Sequence, residues 1–338
     1  MPRPIDAFAL LAALAMPACS PAADDPAPAT ERRWTSLRDD LDRPALTVWG
    51  SSPDDAWIGG GGLASGRGAL LLHRVGGRLD EVETGLSETL WWIHGVSADD
   101  AWAVGERGVA LRLAGGVWTR VATGTDATLY GVWEEGPDAA WAVGGTPTGA
   151  GDDDVLLRWD GHAWSRVAPP RTLGATYYKV WGAAADDVHV VGQGGLALHF
   201  DGQAWSEVAT GTHADLFTVS GRSPREVWAV GGAPATVLAW SGTAWARAEG
   251  APPTLEGLVS GVSLGPDGTT LLAGERHQRW LRDASGRWHD GTEEPPARGD
   301  YHAAWVDARG DALAVGGNYL ALGAPGVAPF GVVARWGE

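Results

Sequence analysis

Six positions at a regular interval, most of them aromatic, are fit for stacking or hydrogen bonding. Leu46, Trp91, Tyr130, Tyr178, Phe217 and His302 each stand three residues ahead of a recurring tryptophan or the residue that replaces it. Rings gathered at a pocket mouth suit contact with a sugar or a peptide; packing between neighbouring structural units is the plainer use of the same rings. Glycan cleavage would need an arginine cluster with a tyrosine and a carboxylate. Arg171, Arg298 and Tyr301 are available for it, though no spacing singles them out. A copper-radical centre would need a cysteine joined to a tyrosine, and the only cysteine, Cys19, precedes the repeated part of the chain.

The remaining polar side chains are less pointed. The nine histidines contain no pair at the helical or turn spacing that marks a metal site. His94 and His189 stand where Trp49 and Trp57 stand in the first repeat, so packed or solvated rings are expected. Carboxylates recur in acidic turns at Asp54-Asp55, Asp99-Asp100, Asp138, Asp186-Asp187, Asp267 and Asp311, with a denser run at Asp152, Asp153 and Asp154. Calcium takes such oxygens, which makes that run a weak calcium candidate. Capping of turn amides and a solvated loop are the plainer readings. With no nucleophile motif and no phosphate loop, a catalytic function is not expected, and no cofactor is required.

The elements that must position these residues follow from one repeat. A tryptophan after a tight glycine-containing turn recurs at Trp34, Trp118, Trp164, Trp205, Trp245 and Trp288, with Leu79 in its place once, at a spacing of about 42 residues. Ahead of it come an apolar run ending in Val-Trp-Gly or a variant (Val48 to Gly50, Val180 to Gly182), an acidic turn, and an Asp-x-Trp-x-Val-Gly strand (Asp100 to Gly105, Glu226 to Gly231). A third strand follows, such as Leu156 to Trp159, and then turns such as Asp160-Gly161, which favour two-residue hairpins. The unit is four antiparallel strands, here lettered A to D. The last repeat, Tyr301 through Trp336, lacks strand D, and the first marker, Trp34, lacks A to C. Together they make one blade. The chain reads as an all-β, seven-bladed β-propeller of four-stranded antiparallel blades, residues 32–338, closed by an N-terminal strand that completes the last blade. The long insertions, residues 61–68, 146–154, 169–176, 292–300 and 318–331, fall on the face where strand A begins, and the aromatic positions should cluster at the channel mouth there.

Residues 1–18 have the form of a secretory signal: Arg3, then an apolar stretch from Ala7 to Met16, too short to remain as a spanning helix. Met16-Pro17-Ala18-Cys19 resembles a bacterial lipobox, which makes Cys19 the expected lipid attachment site; soluble export after ordinary cleavage is the alternative. Residues 19–31, rich in Pro, Ala and Asp, read as a disordered tether. The net charge is −17 and Lys179 is the only lysine. Nucleic acid and anionic headgroups both depend on clustered positive charge, so neither is an expected partner, and contact with a membrane is expected only through the lipid.

Leu157-Arg158-Trp159-Asp160-Gly161-His162-Ala163-Trp164, with Val315-Gly316-Gly317 late in the chain, resembles the kelch propeller pattern. Ser-x-Asp-Asp-x-Trp at Ser52 to Trp57 and Ser97 to Trp102 resembles the Asp-box of sialidase-like propellers without its glycine. Over residues 32–338 the chain looks most like bacterial, often myxobacterial, exported propeller proteins carrying Val-Trp-Gly-Ser-Ser-Pro-Asp-Asp repeats. That resemblance implies the fold and leaves function open. The expectation is a monomeric, envelope-anchored, non-catalytic module that binds a protein through the long-loop face. A carbohydrate-binding lectin and a glycan-cleaving enzyme are the alternatives.

Overall fold

In the computed structural model, residues 1, 31–61, 67–146, 154–170, 174–321 and 326–337 are described. The chain divides into two units, Met1–Glu31 and Arg32–Glu338, and the strands of the described residues lie in the second. Seven four-stranded antiparallel sheets make up that unit, each ordered A-B-C-D from the inside outward. Blade 4 shows the pattern: strand A is Tyr177–Ala184, B is Asp187–Gly192, C is Ala197–Phe200 and D is Trp205–Glu207. Among the described residues no helix is long and apolar enough to cross a membrane.

The last blade is assembled from both ends of the ring. Strands Asp300–Val306, Ala312–Gly317 and Gly331–Gly337 supply A, B and C, and Arg33–Leu41 supplies D. Its register runs from Arg33 opposite Gly337 to Leu41 opposite Gly331. Trp34 is buried against Trp336 and under the Arg279 guanidinium, 5.0 Å away in blade 6. Its backbone N–H donates to Glu294 at 2.9 Å. Gly291 is needed for this closure, because a Cβ there would lie 2.3 Å from the Trp34 indole.

The tryptophans explain the repeat. The strand-B ring of one blade packs edge-on against the strand-D ring of the next: Trp57 on Trp118 at 5.2 Å, Trp102 on Trp164 at 4.9 Å, Trp141 on Trp205 at 5.1 Å. Burying such rings gives these three blade seams a large apolar area. The strand-A rings pack differently. Trp49, Trp133 and Trp181 lie across the glycines Gly95, Gly182 and Gly221 of the following blade, where an added Cβ would come within 2.6 Å of the ring. This is why Gly follows Trp in the Val-Trp-Gly segments. Blade 3 departs from it consistently: Glu134 replaces the glycine where the preceding ring is the smaller His94, whose Nδ1 accepts the Glu134 N–H at 3.2 Å.

Candidate functional site

Every strand A breaks register with strand B near its start, and the residue skipped is the recurrent one. The shifts fall between Leu90 and Trp92, Leu129 and Gly131, Tyr177 and Lys179, Leu216 and Thr218, and Tyr301 and Ala303. The extra residues are therefore Trp91, Tyr130, Tyr178, Phe217 and His302. A bulge leaves its extra residue unpaired and re-aims its side chain. Here it turns the side chain into the channel, and all five line one cavity of about 360 Å³.

The rings form a continuous collar. Centroids lie 5.4 Å apart for Phe217 and Tyr178, 5.6 Å for Tyr178 and Tyr130, 5.3 Å for Tyr130 and Trp91, and 5.9 Å for Trp91 and His302. Tyr319, from the long loop of blade 7, extends it to His302 at 4.9 Å, and its hydroxyl meets Ser260 Oγ at 2.9 Å. Ser260 holds the bulge position of blade 6, between Val259 and Gly261. Leu46, the bulge residue of blade 1, is fully buried, and its carbonyl accepts the Nδ1–H of His302. Burial first, and Lys179 second, hold the His302 imidazole down to about 3. The ring is therefore neutral at pH 7, with Nε2 free to accept a hydrogen bond. Burial, followed by Asp215 and Tyr130, pushes the Tyr178 hydroxyl up to about 12.

Lys179 also reaches this cavity. Gly131 of blade 3 lets the Lys179 backbone approach closely, since a Cβ there would lie 3.0 Å from Lys179 Cα. Lys179 Nζ donates to the Tyr130 carbonyl at 2.8 Å and sits 3.5 Å above the Trp92 ring of blade 2. Burial is the one cause acting on the amine and carries it well below the usual lysine range. Trp92 also lines a second cavity of about 170 Å³ further along the strands A. The Lys179–Trp92 contact thus lies between the two.

The other candidates lie elsewhere. Tyr301 does not face the channel. It is fully buried, its hydroxyl donating to the Pro296 carbonyl at 2.9 Å and its ring lying under Arg279 at 4.5 Å. The reason is its place one residue before the bulge, where Leu90, Leu129, Tyr177 and Leu216 are equally buried in their own blades. Asp154 is buried with its carboxylate 3.8 Å from the Arg166 guanidinium, so a cation already faces it. Asp152, Asp153, Arg171 and Cys19 lie outside the described residues.

At the opposite end of strands A the acidic turns hold a second pattern. Asp55, Asp100 and Asp187 do not cap turn amides as expected; they pair with a strand-C side chain, His73 at 2.7 Å, Arg112 at 2.9 Å and His199 at 2.7 Å. Asp267 does cap its turn, accepting the Thr269 N–H at 2.9 Å. Sequence reasoning missed Lys179, Ser260 and Tyr319 at the mouth. Ser260 stood in the repeat column and Tyr319 on a long loop, so both had a signal, while the path of Lys179 depends on a three-blade contact.

No protein-family model matches the chain, and no curated protein matches it in sequence. Solved structures do match in shape. YCF48 bound to a D1 peptide superposes with a TM-score of 0.65 at 12% identity, over 90% of this chain and 97% of that one. Virginiamycin B lyase from Staphylococcus aureus gives 0.66 at 10% identity, over 90% and 99%. The WD40 repeats of RRP9 give 0.67 at 10% identity, over 90% and 97%. These likenesses, together with the seven closed sheets, establish a β-propeller, a fold shared by protein-binding modules and at least one lyase.

Proposed function

We propose that this propeller is a non-catalytic binding module that takes a segment of a partner protein into the aromatic collar on its long-loop face. The observation that carries the reading is the convergence, by one bulge per blade, of five recurrent side chains on a single cavity. Two of the similar folds support it, one bound to a peptide and the other a WD40 array. The collar rings meet mostly edge to face, as Tyr130 does with Trp91 and with Tyr178. The cavity is thus walled like an apolar side-chain pocket more than like a flat sugar platform. Lys179 at its floor is the one lysine on a chain of net charge −17, and a carboxylate entering with the peptide would restore its charge. Export, acylation at Cys19 and a tether over residues 19–31 would place the module at a bacterial cell envelope.

The test is capture of peptides from a random library by the full chain, with a glycan array run beside it. Peptides with an apolar side chain near a carboxylate should be retained, and the Tyr130→Ala, Tyr178→Ala double variant should weaken them by about 10-fold to 100-fold. Glycan binding with no peptide bound would replace this reading with the lectin one.

A further inference from the structure

The pair formed by Asp187 and His199 in blade 4 has a third member that the sister blades lack. His189 sits two residues after Asp187 on strand B, hence on the same face, and lies directly opposite His199 on strand C. The two imidazoles stack at 4.6 Å with 20° between their planes. His199 Nε2 is 2.7 Å from Asp187 Oδ1, and His189 Nε2 is 3.6 Å from the same oxygen. One donor atom from each residue falls within 4.8 Å of the others.

His189 is fully buried, and neither ring nitrogen has a hydrogen-bond partner among the described residues. A separation of 3.6 Å is too long for a hydrogen bond, so both nitrogens remain unsatisfied. Such a group costs about 1–3 kcal/mol unless something else satisfies it. Burial first, and His199 second, hold its imidazole down to about 3, which leaves a neutral ring with a lone pair at pH 7. Trp240 at 5.2 Å and Trp245 at 5.8 Å wall it from blade 5. Asp187 and His199 keep 22% and 23% of their side-chain surface, which opens the cluster to water on one side.

We propose that Asp187, His189 and His199 form a divalent transition-metal site of the zinc class, with a fourth position open to solvent. Two imidazoles and one carboxylate are the donor set that selects zinc over calcium or magnesium, which take oxygen. Tetrahedral coordination at metal–ligand distances near 2.0–2.2 Å sets donors roughly 3.3 Å apart. The His189 pairing is already close to that, and the His199 pairing needs to open by about half an ångström. The metal would replace the shared contact on Asp187 and satisfy His189. It would also tie strand B to strand C at the outer seam with blade 5.

The experiment is calorimetric titration of the chelator-stripped full chain with zinc chloride at pH 7, compared with His189→Trp. That variant restores the residue of the sister blades, as in Trp57 and Trp141. A zinc-binding event that His189→Trp weakens at least 100-fold, in protein that melts as cooperatively as the parent, is the expected result. Absence of zinc binding at micromolar concentration, or binding that His189→Trp leaves unchanged, overturns the site. Should His189→Trp fail to fold, His199→Arg decides in the same way, since Arg112 and Arg158 hold that place in blades 2 and 3.

Discussion

Blade 1 and blade 4 carry the same carboxylate and the same imidazole at matching places, and differ in the residue between them. Asp55 and His73 meet at 2.7 Å, as Asp187 and His199 do. In blade 1 the third residue is Trp57, stacked on His73 at 3.8 Å with 4° between the planes. In blade 4 it is His189. Among the described residues both blades leave a buried ring nitrogen without a partner, the indole Nε1 of Trp57 in one and both imidazole nitrogens in the other. The indole nitrogen is a donor only, whereas an imidazole can also offer a lone pair. One substitution on a repeated frame thus sets a second imidazole beside a hydrogen-bonded Asp–His pair, the donor set proposed above for a metal.

Making blade 1 copy blade 4 should have the largest effect. Trp57→His should add a second zinc equivalent in the calorimeter, at an affinity within about tenfold of the blade 4 site if the donor set alone decides it. An unchanged stoichiometry would mean that the wall of Trp240 and Trp245 is also required. Acid unfolding of metal-free protein sharpens the contrast next. His189 has a folded pKa of about 3, below the usual 6.5. As pH falls below about 6.5 the unfolded chain binds a proton there first, so stability is present above that value and drains away towards pH 3. His189→Trp should remove on the order of 3 kcal/mol of that loss, seen as a flatter denaturant midpoint between pH 6.5 and 4. The smallest effect belongs to blade 1 itself: Asp55→Asn breaks a pair whose side chains are 28% and 29% exposed. It should cost no more than about 1 kcal/mol, a melting shift of about 2–4 °C at most.

Much of the ring was legible because its signals are local. Asp160-Gly161 marks its hairpin, Gly161 having φ +92°, and the marker tryptophans place each strand D. Closure by Trp34 followed from counting incomplete repeats. The mouth was readable as a column of residues and not as geometry. A bulge has no residue code in these strands, so Tyr301 and His302 look equivalent in sequence and point to different places. The blade 4 cluster was hidden for a related reason: His189 and His199 are joined by cross-strand register around a B–C loop, a distance that neither helical nor turn spacing describes. The acidic turns differ from expectation because strand C supplies Asp55, Asp100 and Asp187 with a histidine or arginine partner, which only the sheet order reveals.

The pairing of Arg33–Leu41 with Gly331–Gly337 also sets an order of events during folding. Blades 1 to 6 each draw on one continuous stretch of chain, and their hairpins can zip independently, since nearby residues meet cheaply. Blade 7 cannot. Thr35 bonds to Arg335, 300 residues later, so the ring's strand Arg33–Leu41 stays unpaired and edge-exposed until Gly331–Gly337 is in place. Until then the seam between blades 7 and 1 is open, and the unclosed arc is vulnerable to edge-to-edge association with another copy.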